Sequence, residues 1–478
     1  MDDAVLKTQT LPSSDASEIC RMSAADLTLA YASGALSPVE ATRAALERSE
    51  QAQARCNAFT LIDHDAALTA AFASEARWRA GTALSAIDGV PGTIKDIVTV
   101  AGWPLSNGST LCPDSPCAED APSVARLRKA GMVMLGVTTT PEFGWKALTD
   151  SPRWGITRNP WDLSLTPGGS SGGAAVAASM GAGVLHLGTD GAGSIRIPAA
   201  FTGIAGIKPT FGRVPAYPAS AFGTVAHIGP MARRVEDVEL MLSAMSGRDR
   251  RDWFQGEGQL HQLKQHETTP AGLHIAVWKT PPGGAVDPDV AAHFERSLAR
   301  FEAAGAILEE IDLPMLDDLY GIATRLWFSS ARVRLEGAGA LDTLDHDSID
   351  PGLLEIAEDA AHWSTGDYLR TVSQRAEFGA AMDRLTERFA YILAPACTVL
   401  PFEAGHDVPP GSGMDRWFRW AGFSYPINLS QQPAAVVPAG LSANGLPQSL
   451  QIISARGRDS AVLALAKWWQ RHDPDNLL

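Results

Sequence analysis

The groups in this sequence best placed to do chemistry are three serines set in glycine and one lysine set among apolar residues. Ser170 and Ser171 stand in Gly168-Gly-Ser-Ser-Gly-Gly173, and Ser194 closes Asp190-Gly-Ala-Gly-Ser194. Glycine on both sides of a serine lets the backbone approach a bound group closely and adopt positive φ. Such segments read as a site built from hydroxyls and backbone amides. Lys95 lies in Thr93-Ile-Lys-Asp-Ile-Val98, flanked by apolar residues like a strand entering a core. A lysine there is costly to desolvate unless it is neutral or well hydrogen-bonded. By pattern alone, an exposed lysine at a strand edge is the commoner outcome. A buried, neutral amine would instead be a base for a serine hydroxyl, which is a weak nucleophile without one.

Other chemistries fit less well. Gly169-Ser-Ser-Gly-Gly173 satisfies G-x-S-x-G, the nucleophile elbow, with Ser171 as nucleophile. That motif needs a buried strand just before it, whereas Asp162-Leu-Ser-Leu-Thr-Pro167 ends in proline, a poor central-strand residue. It also needs a late histidine, and neither His406 nor His472 has a persuasive context. The phosphate-binding patterns GxxxxGK[ST] and GxGxxG after a strand are missing from the glycine stretch. The eleven histidines are scattered without HExxH, so no metal is expected.

Composition narrows the class further. A net charge of −15 argues against nucleic acid, whose affinity comes largely from Lys/Arg contacts to phosphate. The five cysteines (20, 56, 112, 117, 397) form no zinc spacing and fit free thiols in a reducing compartment. The first residues lack a basic n-region and an apolar h-region, and no run of 18 apolar residues occurs, so the expectation is a cytoplasmic protein with no membrane partner.

These groups need elements to hold them. Ser23-Ala-Ala-Asp26 opens a helix ending near Gly34, and Ser37-Pro-Val-Glu40 opens another with Pro at its first position. A third helix is predicted from about Asp65 to Ala80, and a short one of small residues over Ala174–Met180. Met132–Val137, Val184–Leu187, Leu273–Val277, Ile307–Leu313 and Tyr391–Leu393 read as strands. Ser123–Ala130, Val235–Met245 and Pro288–Ala304 read as helices. The alternation indicates an α/β fold with a sheet covered by helices. A closing helix over Asp459–Trp469 offers Leu463, Leu465 and Trp468 to the core. With no linker or repeat, the expected organisation is a lead-in over 1–22 and one domain over 23–478, with a more variable peripheral region at about 248–390.

Taken together, GGSSGG followed by GTDGAGSIRIPA resembles the signature of the amidase-signature serine hydrolases. The likeness extends to Gly89-Val-Pro-Gly-Thr-Ile-Lys-Asp96, Gly206-Ile-Lys-Pro-Thr-Phe-Gly-Arg-Val-Pro215, Gly229-Pro-Met-Ala-Arg233 and Gly445-Leu-Pro-Gln-Ser-Leu-Gln451. It implies a large mixed β-sheet covered on both faces by helices, no cofactor, and a small-molecule amide as substrate. It implies Ser194 as nucleophile, Ser170 as a bridging serine associated with a cis peptide, and Lys95 as base. The oxyanion hole falls on the N–H groups of Gly191, Ala192, Gly193 and Ser194. Ala192 departs from the commoner glycine, which a negative φ would accommodate. Ser171 is expected to hydrogen-bond within the site, and Asp190 and Arg196 to support it. Trp145, Trp417, Phe423 and Tyr425 are candidate walls for an aryl or bulky acyl group. The alternatives are the glutaminase subunit of a tRNA-dependent amidotransferase and a non-catalytic binding protein on the same fold. The oligomeric state stays open, a homodimer among the options.

Overall fold

The computed structural model describes residues 17–256, 268–341 and 348–473. Within them the helix start signals act as written. The Ser23 hydroxyl accepts the Asp26 N–H at 3.0 Å while the Asp26 carboxylate accepts the Ser23 N–H at 3.1 Å, opening α1 (Ala24–Ser33). Ser37 and Glu40 repeat the device for α2 (Pro38–Cys56). Each such cap satisfies N–H groups that the first turn leaves without partners. Next come β1 (Phe59–Ile62), α3 (His64–Arg79), β2 (Pro91–Lys95), α4 (Pro122–Lys129) and β3 (Val133–Thr138). The glycine-rich stretch supplies α5 (Gly172–Met180), β4 (Leu185–Asp190) and α6 (Arg196–Thr202). β5 (Ala205–Lys208), β6 (His227–Ala232), α7 (Val235–Met245), β7 (His274–Trp278), α8 (Pro288–Ala303) and β8 (Ile307–Ile311) follow. Three helices, α9 (Leu319–Gly337), α10 (Pro351–Ala360) and α11 (Thr365–Arg388), then lead into β9 (Tyr391–Pro395). The chain ends with a short helix α12 (Tyr425–Leu429), β10 (Ala434–Leu441), β11 (Pro447–Ile453) and α13 (Asp459–His472).

The strands form one 11-stranded sheet in the order β1-β3-β2-β4-β6-β5-β10-β11-β9-β7-β8. It is mixed: β2 runs parallel to β3 and β4, whereas β4–β6, β6–β5, β5–β10 and β10–β11 are antiparallel. Successive strand residues point to opposite faces. Accordingly Ala276, Ile392, Ala394, Ala434 and Val436 enter one apolar cluster, while Ile275, Val277, Leu393, Ala435 and Val437 enter another. Both faces are therefore buried under helices, as near-continuous apolar strands require.

Several elements differ from the sequence reading. β5, β6, β10 and β11 carry glycine or proline that reads as turn signal. In β10, Pro438 sits next to a register irregularity, where a missing N–H is tolerated. In α13 Trp468 packs on the edge of the core against Phe301 at 5.4 Å, while Trp469 goes deeper: its ring stacks on Phe301 at 5.3 Å and its indole N–H donates to the Pro438 carbonyl at 2.9 Å. Trp468 is half-buried and stacks on His472. Within the expected lead-in, Ile19 and Cys20 are buried in the core, and residues 1–16 lie outside the described residues. So do residues 257–267, within the region expected to be more variable at about 248–390. All five cysteines are free. No helix among the described residues is long and apolar enough to cross a membrane.

Candidate active site

Parallel pairing of β2 with β4, in the register Ile94 opposite Leu187, brings the carboxyl ends of the two strands side by side. Lys95 ends β2 and Thr189-Asp190 ends β4, so the amine and the glycine-rich loop share one rim of the sheet. Lys95 is completely buried. Its Nζ lies 2.7 Å from Ser170 Oγ, 2.9 Å from Ser171 Oγ and 2.9 Å from Thr189 Oγ1. No carboxylate touches it among the described residues. Burial pushes the amine well below the ordinary lysine range, opposed only by the more distant Asp190 charge.

Three hydroxyl neighbours match a neutral amine, which has two N–H donors and one lone pair. Ser171 Oγ donates to the Thr189 carbonyl at 3.1 Å, so toward Lys95 it can only accept. Thr189 Oγ1 can take the second N–H, which in a neutral amine leaves the lone pair facing the Ser170 hydroxyl. Thr189 was not singled out from sequence; its only signal was its place in Gly188-Thr-Asp190, before the oxyanion loop.

Ser170 and Ser171 are delivered by glycines that allow close approach. A side chain at Gly169 would collide with the Leu148 carbonyl. The Gly169–Ser170 peptide is cis. Ser171, the residue before α5, is wholly buried, and its N–H donates to the Ser194 carbonyl at 3.1 Å. Residues 162–167 before it form no strand, only an isolated bridge at Leu165, so the context of a nucleophile elbow is missing.

Behind the loop lies a buried ion pair. Arg196 Nη2 meets Asp190 Oδ1 at 3.0 Å with both side chains fully enclosed, and Arg196 also reaches Gln451 and the Ser424 carbonyl. Arg196, with help from Lys208 and Asn428, holds the Asp190 carboxyl well below the usual carboxylate range despite its burial. That carboxylate accepts the N–H groups of Gly193 (2.8 Å) and Ile195 (3.2 Å). This corrects one expectation: the Gly193 N–H, turned inward at φ +121°, is occupied by Asp190 and is not free to face an oxyanion. The N–H groups of Gly191, Ala192 and Ser194 make no hydrogen bond among the described residues. Ala192 stays outside the left-handed region, so its methyl group is accommodated.

Ser170, Thr189, Gly191 and Ser194 form the floor of a cavity of about 220 Å³. Its aromatic wall is Phe143, Tyr217, Phe222 and Trp327, with Phe222 stacked on Trp327 at 3.8 Å. The four aromatics expected there are elsewhere, in the core behind it. The Trp145 carbonyl accepts the Trp327 indole N–H at 2.7 Å, Trp417 packs edge-on to Trp327, Phe423 packs on Trp278, and Tyr425 on Phe418. Trp417, Phe423 and Tyr425 are clustered in sequence, but tertiary packing seals all four: each is at most 3% exposed. Phe423→Ala is therefore expected to destabilise the fold by about 3–5 kcal/mol and to lower turnover of aryl and aliphatic amides alike. Denaturant titration and paired assays check this, and a loss confined to aryl amides would return Phe423 to the pocket.

A buried amine ringed by hydroxyls, behind the serine-lined floor of an apolar cavity at the carboxyl ends of parallel strands, is equipment for acyl transfer. A family model described as Amidase matches residues 40–463, and the chain belongs to this amidase family. It is a hydrolase acting on the C–N bonds of amides, and its fold is that of the amidase-signature enzymes. The chain is 35% identical to an indoleacetamide hydrolase of Bradyrhizobium diazoefficiens, over 94% of this chain and 86% of that protein. It is 33% identical to an acylamidase of Rhodococcus erythropolis (96% and 98%). It is also 32% identical to a subunit of the glutamyl-tRNA(Gln) amidotransferase of Symbiobacterium thermophilum (94% and 96%). Among solved structures, a bacterial aryl acylamidase superposes with a TM-score of 0.85 at 28% identity, covering 95% of this chain and 96% of that one. A 6-aminohexanoate cyclic dimer hydrolase in complex with substrate gives 0.85 at 26% (96% and 98%).

Proposed function

We propose that the protein hydrolyses a small organic amide with an aryl or other apolar group, through an acyl-enzyme on Ser194. The observation that carries this is the contact of the fully buried Lys95, whose burial pushes its amine well below the ordinary lysine range, with Ser170 at 2.7 Å. Ser194 Oγ attacks the carbonyl carbon and passes its proton to Ser170, whose own proton moves to the Lys95 lone pair. The developing oxyanion meets the free N–H groups of Gly191, Ala192 and Ser194, each such donor worth about 10²–10³ in rate. As the C–N bond breaks, the proton returns through Ser170 to the leaving amine. Water, deprotonated by the same relay, then attacks the ester carbon and frees the acid and Ser194.

A fluorophosphonate probe tests the assignment. The adduct is expected on the peptide carrying Ser194, and an adduct on Ser171 would overturn it. The aromatic wall supports the apolar substrate, as do the indoleacetamide hydrolase and acylamidase among the relatives. Phe222→Ala is expected to lower kcat/KM for anilides about tenfold relative to acetamide-sized substrates, since removing one aromatic contact forfeits on the order of 1–3 kcal/mol. Equal losses on both would remove Phe222 from recognition.

A second reading, the glutaminase subunit of a tRNA-dependent amidotransferase working with partner chains, is favoured by the 32% identical amidotransferase relative. Co-purification of partner chains with glutamine hydrolysis would establish it. Glutamine left intact beside rapid anilide turnover would dismiss it.

A further inference from the structure

The cavity over Ser194 has a charge pattern that an apolar amide leaves unexplained. Its lining among the described residues contains no Asp or Glu, although the chain as a whole carries a net charge of −15. Lys95 lies behind Ser170 and Thr189 and does not line the cavity, and burial pushes its amine well below the ordinary lysine range. Burial and Lys208 push the lining His227 well below the ordinary histidine range. One lining residue keeps a permanent charge, Arg334, whose guanidinium does not deprotonate in proteins. Arg334 is half-buried, and its side chain makes no hydrogen bond or ion pair among the described residues. Its guanidinium sits over the face of Phe143, 4.4 Å from the ring centroid. Phe143 itself lines the cavity, so the stacking holds the guanidinium plane against the cavity wall with its N–H fork unsatisfied.

The helix that carries Arg334 also carries Trp327. Seven residues separate them on α9, two turns apart on the same face and about 10 Å along the axis. Trp327 rests against the oxyanion loop, where a Cβ on Gly191 would fall 2.8 Å from its ring. The helix thus contributes both Trp327, which rests on the oxyanion loop and stacks on Phe222, and Arg334 to the cavity lining.

We infer that Arg334 receives a carboxylate of the substrate, set apart from the scissile carbonyl by an apolar spacer that lies along the aromatic wall. The substrate class is an amide with an acidic far end, on either its acyl or its amine part. This rests on the amide-hydrolase reading and deepens it.

Two pairs of substrates test it and locate the acid. On the acyl side, the mono-4-nitroanilides of adipic and suberic acid are compared with hexanoyl and octanoyl 4-nitroanilide. On the amine side, N-butyryl-4-aminobenzoate is compared with N-butyryl-4-toluidine. The wild-type enzyme is expected to prefer the acid of one pair about tenfold or more in kcat/KM. Arg334→Met, which keeps an apolar stem on Phe143, should reduce that preference about 10- to 100-fold, mainly through KM, the range a charge-assisted hydrogen bond supports. Arg334→Lys should keep part of it, because the charge remains and the bidentate fork does not. No preference for either acid, or a preference that survives in Arg334→Met, would overturn the inference. Absence of turnover on every neutral amide, with Ser194 unlabelled, would overturn the reaction itself, so the two failures are distinct.

Discussion

Lys95→Arg is expected to lose activity by about 10²–10⁴-fold or more, the contribution of a positioned general base, although it keeps length and donors. Guanidinium cannot give up a proton, so no lone pair faces Ser170. Lys95→Met should be equally inactive yet at least as stable near neutral pH, because a methionine of similar volume fills the site without having to be neutralised. The sign of this effect follows from linkage. Lys95 has a folded pKa below its unfolded value of about 10.4. Between the two, the unfolded chain binds the extra proton, so stability contributed at this position rises with pH until the unfolded lysine also deprotonates. For the same reason kcat/KM should rise with pH on an acid limb whose midpoint lies below about 10.4. His186 is pushed down to about 3 and His227 well below its ordinary range, both by burial, so neither supplies that limb. Measured pH profiles and denaturation midpoints decide the matter. An active Lys95→Arg, or an acid limb that vanishes on replacing His227 by Gln, would show that the base is another group.

Asp190→Asn should damage both stability and rate. It leaves the fully buried Arg196 without its counter-charge, and breaking a buried pair from one side costs about 3–5 kcal/mol. It also weakens the acceptor that holds the Gly193 and Ile195 N–H groups, so the loop that orients Ser194 loosens. The native Asp190 pKa lies below its unfolded value of about 3.9. Its stabilisation is therefore complete above that value and is lost as pH falls toward the native pKa. Wild type and Asp190→Asn should converge in stability in strong acid and diverge by several kcal/mol at neutral pH. An unchanged denaturation midpoint at neutral pH would show that Arg196 is satisfied by Gln451 and the Ser424 carbonyl alone.

Much of this site was legible before folding was considered. The glycines around Ser170 are plain in the sequence as places of close approach, although what approaches, such as the Leu148 carbonyl at Gly169 and Ala58 at Gly173, comes from other segments. Capping boxes at Ser23 and Ser37 act within four residues, so the starts of α1 and α2 follow from residue type and spacing. The neutrality of Lys95 was legible only conditionally. Apolar neighbours along one strand do not reveal whether β3 and β4 flank it on both sides, and that flanking enclosed the amine.

Sequence by itself determined the chemical vocabulary of the protein: which hydroxyls, amides and amine are present, and which segments must turn tightly to present them. Tertiary structure decided which of its aromatic and charged residues meet the cavity. Trp417, Phe423 and Tyr425 lie together in sequence, yet elements from distant segments cover them, while Phe143, the Tyr217–Phe222 loop and Trp327 converge from three separate places. Likewise Asp190 took the Gly193 N–H only because Arg196, anchored by Gln451 and Ser424 from the end of the chain, holds its carboxylate there. Exposure and hydrogen-bond allegiance depend on what packs over a residue, and for most of these residues that neighbour is more than a hundred positions away.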